Sequence, residues 1–409
     1  MFKDQQRIIL HCDCNGYYAS VECLLRPELK DVPMAVTGNP QNRHGIILAK
    51  NQLAKDAGVL TAETIIEAKR KCPNLVCVRP HHELYAEYSV KLNNIYLEYS
   101  DRVEPFGIDE SFMDVTQTWQ DFANSPKDFA DLLRNRIRQD LGLTISVGVS
   151  YNKILAKLGS DLKKPDATTV ITENDLESIV WPLDISNLLY VGKVTAKRLR
   201  AVNINTIGEI AKTDPEFLAV YLGKIGENLS IYARGLENSE VQKYTELDEA
   251  KSIGNGQTFS EDLISWPKIN QGLQGLVAEV TNRLRKSNKV ANVIQVQLKS
   301  SDFQVFSKQT TLTEHIQNYE QIWPVVQQLI QELWDQETPI RLLAVTAGGL
   351  ENKDQVYTQV SFSDLTLNSS DDFDKSAPDK EFEKQKKLNN LVYKLNQQMG
   401  GDYLKLGTE

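Results

Sequence analysis

Three carboxylates stand where carboxylates are costly. Asp13 closes the apolar run Ile8-Ile9-Leu10, which reads as a buried strand, and Asp109 and Glu110 lie at the turn of a strand-like hairpin, RVEPFGIDESFMDVT. Buried strands rarely keep acids without a partner, because taking an ionised carboxylate out of water is expensive. Brought onto one sheet, the three would repel one another unless cations neutralised them. An oxygen-rich site with open positions suits Mg²⁺, and two such ions can clamp the attacking and leaving oxygens of a phosphoryl transfer. Taken singly, each acid reads equally well as a turn cap, so the surrounding chain has to decide.

The elements that would position them follow from periodicity. RIILHCDCN runs straight into the helix-forming YYASVECLL. Short strands PMAVTG and GIILAK and helices NQLAKDAG and TIIEAKRKCPN, halted by Gly58 and Pro73, then make a small α/β insert. LVCVRP resumes a strand, HELYAEYSVKLNNIYLEYS has apolar residues at helical spacing, and the hairpin follows. The helix FANSPKDFADLLRNRIRQDLG, the strand LTISVGVS and the basic helix YNKILAKLGSDLKKP, closed by Pro165, complete one α/β unit. From Trp181 to Tyr244 the pattern is helical with glycine breaks. A polar connector, YTELDEAKS, leads to the strands VIQVQLKSS and FQVFSKQTTL, a helix over Ile322 to Trp334 and the strand RLLAVTAGGL, which read as two helices on a sheet. Beyond Leu350 the chain turns polar, with a Ser/Asp-rich stretch from Asn368 to Asp374, the composition of disorder.

A chain of 409 residues is expected to bury several separate cores. Apolar content of 41% and charged content of 25%, with no apolar run of bilayer length, exclude the membrane class, and the N-terminus shows no leader pattern. A cytoplasmic protein is expected. The five cysteines, Cys12, Cys14, Cys23, Cys72 and Cys77, are odd in number and lack a repeated CxxC pair, so reduced thiols are expected. On a strand Cys12 and Cys14 share one face and His11 the other, which counts against zinc. A net charge of -9 counts against a nucleic-acid partner. Three basic clusters count for one: Lys153, Lys157, Lys163 and Lys164; Lys193, Lys197, Arg198 and Arg200; and Arg283, Arg285, Lys286 and Lys289. Each cluster alone reads equally as a solvated helix face.

Four segments, IILHCDCNGYYASVE, GIDESFMDVT, SVGVSYNKILAKLGSDLKKP and VGKVTAKRL, in this order and spacing, resemble the Y-family DNA polymerases of the DNA polymerase IV type. The resemblance implies a multidomain α/β and α+β right-hand fold: palm over 1–16 and 83–176, small fingers over 17–82, helical thumb over 177–244, little finger over 251–350, and a tail over 351–409. It implies that Asp13, the Cys14 backbone carbonyl, Asp109 and Glu110 hold two Mg²⁺ ions. Tyr18 falls at the family's steric gate, whose ring leaves no room for a ribose 2′-OH, with Tyr17 beside it; Lys164 matches the lysine on the triphosphate. The pattern departs at Gln52 and Lys55, where most relatives carry a tyrosine and an arginine. It departs also at Gly107 and at Asn15, which replaces a second strand aspartate.

LLYVGKVTAKRLRAVNINTIGEIA resembles a helix-hairpin-helix, with Gly192 at the turn that offers backbone N–H groups to a DNA phosphate. Arg283 and Arg285 are expected along the duplex backbone. In the tail, Gln359 to Phe362 resembles a short peptide for the sliding clamp and reads equally as linker. The implied activity is low-fidelity translesion DNA synthesis from deoxynucleoside triphosphates on a primer-template, by a monomer. A nucleotide cyclase with a similar carboxylate site and a non-catalytic DNA-binding protein are the competing readings.

Overall fold

The computed structural model describes residues 6–38 and 45–355. Along the first part run β1 (Ile9–Cys14), α1 (Tyr17–Leu25), β2 (Met34–Thr37), β3 (Ile47–Lys50), α2 (Gln52–Asp56), α3 (Ile65–Lys71), β4 (Val76–Val78), α4 (His82–Leu97), β5 (Val103–Pro105), β6 (Glu110–Asp114), α5 (Pro126–Leu141), β7 (Ile145–Ser150), α6 (Lys153–Leu162) and β8 (Thr168–Val170). Five of these strands form one sheet in the order β5-β6-β1-β7-β8, with β1 at its centre and every residue of β1 buried. The alternation of a strand sends Leu10, Cys12 and Cys14 into a core with Tyr96 of α4 and Phe129, Leu133 and Ile137 of α5, while α6 covers the other face. Local chemistry sets the helix ends. Ser125 and Asn152 cap α5 and α6 through their side chains, Pro126 occupies the first turn of α5, and Gly142 stops it at a φ of 68°.

The insert is a three-stranded sheet, β3-β2-β4. Ala35 faces α2 and α3, and Met34 and Val36 face α1, so both sides are covered. Next come α7 (Lys193–Ala201), α8 (Ile207–Lys212), α9 (Pro215–Leu222) and α10 (Lys224–Ala233), whose core continues into Ile154, Leu155 and Leu158 of α6.

Past α10 the helical reading ends early. Residues after Gly235 run extended across the five-stranded sheet: Arg7 donates to the carbonyls of Asn238 and Ser239, and Arg102 to Glu240 and the Val241 carbonyl. Val241 is fully buried against Ile9, Phe112 and Ala156. The end of a stretch read as helical is therefore a strap with an apolar plug, and the polar connector begins only after it, at Tyr244.

The last unit contains β9 (Ser252–Leu263), α11 (Trp266–Lys286), β10 (Lys289–Ser300), β11 (Val305–Ile316), α12 (Tyr319–Leu333) and β12 (Ile340–Asn352), with antiparallel order β11-β10-β12-β9. Both helices cover one face, where Ile294, Val296 and Leu298 alternate inward. α11, 21 residues long, is the helix the sequence reading left unplaced. Among the described residues no helix is long and apolar enough to cross a membrane, and all five cysteines are free thiols.

Candidate active site

Strand pairing does the first part of the positioning. β1 sets Asp13 opposite Glu110 on β6 and opposite Ser146 on β7. Directly opposed residues share a face, so His11, Asp13 and Glu110 all project toward α6. Asp109 ends the preceding turn, where its carbonyl accepts from the Cys14 N–H at 3.1 Å. Gly107 gives that turn a φ of 148°, which side-chain-bearing residues rarely adopt. α6 lies close because Gly148 has no side chain: a Cβ there would stand 1.9 Å from the Ala156 carbonyl oxygen.

That close approach brings lysines onto the acids. Lys157 Nζ is 3.1 Å from Asp13 Oδ2 and 2.9 Å from Glu110 Oε2, and Lys164 Nζ is 2.8 Å from Asp13 Oδ2. Both also reach Asp161. His11 is fully buried, with Nδ1 2.8 Å from Ser160 Oγ and Nε2 3.2 Å from Glu110 Oε2. Asn15 ties the end of β1 to Ser146 and to the Asp166 N–H, which fixes the loop that carries Lys164.

The titration of these groups follows from burial and crowding. Burial pushes the Asp13 carboxyl up against the pull of Lys164 and Lys157. Asp109 is raised to about 6, by burial first and then by Asp13 and Glu110. Burial works in the same direction on Glu110, but His11 and Lys157 outweigh it and hold that carboxyl below its usual range. Burial disfavours both ammonium groups, yet the carboxylates raise Lys157 and Lys164 and keep them charged. Four acids thus face two lysines, and the residual negative charge on oxygen donors fits divalent cations. Ligand atoms of His11, Asp13 and Glu110 lie within 4.8 Å of one another.

A cleft of about 600 Å³ opens beside the acids. Asp13, Cys14, Asp109 and Lys164 line it from the five-stranded sheet, and Lys30, Lys50, Gln52 and Lys55 from the insert, with Tyr17 between. Lys50 donates to Thr61 Oγ1 at 2.9 Å, and its pKa is lowered by burial and by the neighbouring Lys55. Gln52 is exposed and bonded to Asp56. Tyr17 is buried, its hydroxyl donating to the Tyr85 carbonyl at 2.6 Å. Tyr18 does not line the cleft; it is half-buried, stacks on Tyr85, and has its phenol pKa raised by burial and by Asp109.

Elsewhere the expected residues are dispersed. Gly192 caps α7, and no atom would meet a Cβ there within 4 Å, so close packing does not require the glycine. Arg283 and Arg285 end α11; Arg283 is exposed and donates to the Gly254 carbonyl, whereas Arg285 is half-buried and donates to Asn318. Lys289, grouped with them from sequence, is buried and paired with Glu249, so that cluster is not a continuous basic stripe. Gln359 and Phe362 lie outside the described residues. Lys50 and the bridging place of Lys157 were not expected from sequence, and His11, weighed there only with Cys12 and Cys14 for zinc, stands instead with Asp13 and Glu110. His11 carried a signal, since it stands two residues before Asp13 and so on its strand face.

Comparison with known proteins decides what this arrangement belongs to. The model of the impB/mucB/samB family matches residues 12–161, and that of the family's C-terminal domain matches residues 250–362. A DNA polymerase IV of Acetivibrio thermocellus is 44% identical over 360 residues, 88% of this chain and 90% of the relative. The chain belongs to the DNA polymerase IV family. DNA polymerase IV 1 of Bacillus subtilis is 33% identical over 368 residues, 90% of this chain and 88% of that one. The solved structure of a Y-family DNA polymerase chimera matches with a TM-score of 0.75, covering 84% of this chain and 99% of that chain at 24% identity, which speaks to the fold. The molecule is thus a DNA-directed DNA polymerase with the multidomain Y-family fold. The resemblance read from the four motifs holds.

Proposed function

We propose that this polymerase extends a primer by attack of its 3′-OH on the α-phosphate of a deoxynucleoside triphosphate, breaking the α–β phosphoanhydride bond and releasing pyrophosphate, at the Asp13, Asp109 and Glu110 cluster, with low fidelity and tolerance of damaged templates. The supporting observation is that Asp13 and Asp109 stand at one end of a lysine-lined cleft with Glu110 paired opposite Asp13 on the neighbouring strand. Two Mg²⁺ ions held by Asp13, the Cys14 carbonyl, Asp109 and Glu110 would supply Lewis-acid neutralisation of the attacking and leaving oxygens.

The chain's own groups do the rest. Lys164 and Lys55, joined by Lys50, neutralise the triphosphate as point charges on flexible stems, a grip that lacks the bidentate fork of an arginine. Tyr17 is too firmly tied to move, so it supports the sugar from a fixed position, and Tyr18 excludes a 2′-OH. In this reading residues 1–16 and 83–176 are the palm, 17–82 the fingers, 177–244 the thumb and 251–350 the little finger. The insert is small, so pair shape is checked loosely and translesion synthesis follows. Gly192, Arg283 and Arg285 contact the duplex, the Gln359–Phe362 peptide contacts the sliding clamp, and the enzyme acts as a cytoplasmic monomer.

Primer extension tests the centre. Asp109→Ala and Glu110→Ala should each lower extension at least about a hundredfold, the scale of a lost metal clamp. Extension at the parent rate by either variant sinks this mechanism.

A further inference from the structure

Glu22 is fully buried and ionisable, and nothing in the proposed reaction uses it. It lies on α1 four residues after Tyr18, hence on the same helix face. Its Oε1 accepts from Tyr85 Oη at 2.5 Å and faces His81 Nδ1 at 2.7 Å, and its Oε2 accepts from Arg26 Nη2 at 3.1 Å. Burial alone would raise its pKa, but the hydrogen bonds from Tyr85, His81 and Arg26 outweigh burial and lower it. A carboxylate held this way is a rigid anchor, because loosening any partner leaves buried charge poorly paired.

What it anchors is the ring behind the gate. Tyr85 is fully buried and fixed at both ends, its hydroxyl on Glu22 and its carbonyl on Tyr17. Its ring stacks on Tyr18 with centroids 4.1 Å apart and planes at 15°, and His82 meets both rings edge-on. Tyr18 is only half-buried, so the Tyr85 face defines where its ring can stand.

We infer that Glu22 is a positioning residue for sugar selection: by fixing Tyr85 it holds the Tyr18 ring where it excludes a ribose 2′-OH. The inference rests on Tyr18 being the gate. The test is single-nucleotide incorporation of matched ribo- and deoxyribonucleoside triphosphates by the full chain and by Tyr18→Ala, Tyr85→Phe, Glu22→Ala and Glu22→Gln. Tyr18→Ala should raise the ribo-to-deoxy ratio of kcat/KM most. Tyr85→Phe and Glu22→Ala should raise it roughly tenfold, the order for a contact loosened rather than removed, with kcat/KM for the deoxynucleotide nearly unchanged. Glu22→Gln keeps an acceptor for the Tyr85 hydroxyl and should restore the parent ratio.

A purely structural role would lower both activities together and leave the ratio alone. Parent ratios in Tyr85→Phe and Glu22→Ala, with Tyr18→Ala admitting ribonucleotides, overturn the inference and leave the gate intact. A parent ratio in Tyr18→Ala overturns the gate itself. If Glu22→Ala does not fold, Tyr85→Phe, which loses one hydroxyl, carries the decision.

Discussion

Asp109 is the acid whose charge depends most on what else is bound. Its carboxyl is raised from 3.8 to about 6, so in the folded chain the protonated form is favoured across the window between those values. A raised carboxyl contributes stability that is fully present below the unfolded pKa and lost as pH rises through about 6, where the fold must hold an extra buried negative charge. A divalent cation removes that disadvantage. The rise in melting temperature on adding Mg²⁺ without DNA should therefore be small at about pH 5 and grow toward about pH 7, and Asp109→Asn should flatten the dependence. An unchanged Mg²⁺ shift over that range in the parent would falsify the assignment of Asp109 as a ligand. The meeting of Asp13, Asp109 and Glu110 was legible in the sequence because each acid stands inside a short motif whose spacing is local. Lys157, Glu22 and Tyr85 were not. Lys157 meets Asp13 across 144 positions and Tyr85 meets Glu22 across 63, and such distances leave no local pattern.

At the scale of elements, α6 and the strap decide how firmly β1 is held. Long helices and alternating strands were readable in advance, though not their exact starts: the helix expected from Phe122 begins as α5 at Pro126, and β10 alternates inward and outward as its sequence does. α11 was missed although its signal is in the sequence: Ile269, Leu273, Val277 and Val280 recur at spacings of four, four and three, the stripe of an amphipathic helix. The strap is the opposite case. Val241 is one apolar residue in an acidic neighbourhood, and its burial depends on a pocket made by Ile9, Phe112 and Ala156. Val241→Ala removes two methyl groups from that pocket and should cost roughly 2 kcal/mol of stability. Denaturant unfolding measures it, and a cost below about 0.5 kcal/mol, the range of surface substitutions, would show the plug to be idle.

At the scale of the whole molecule, the two middle rows of the last domain's open sheet face carry no charge. Opposed positions on that face include Gln295, Gln309 and Thr346 in one row and Gln297, Ser307 and Ala344 in the next, and Lys299 follows in the row with Val305 and Leu342. Gly254 and Gly256 stand in the same two rows, opposite Thr346 and Ala344, and add no side chain to them. If this face meets the primer-template, Lys299→Ala should make the plot of log affinity against log salt shallower by about 0.9, the increment of one lost phosphate contact. Equal slopes for parent and Lys299→Ala would place the duplex elsewhere. The basic clusters read from sequence overstated the electrostatic footprint, since Lys157, Lys164 and Lys289 are paired with acids of the same chain.

The strap also has a meaning in time. Ile9 and Val241 are neighbours in space but belong to opposite ends of the first three-fifths of synthesis, which makes this one of the most non-local contacts in the catalytic core. A nascent chain that has released β1 through α6 still has an open apolar pocket behind the Asp13 strand, and the pocket closes only after the helices from α7 to α10 have left the ribosome. Maturation of the active site is thereby tied to completion of the domain that follows it.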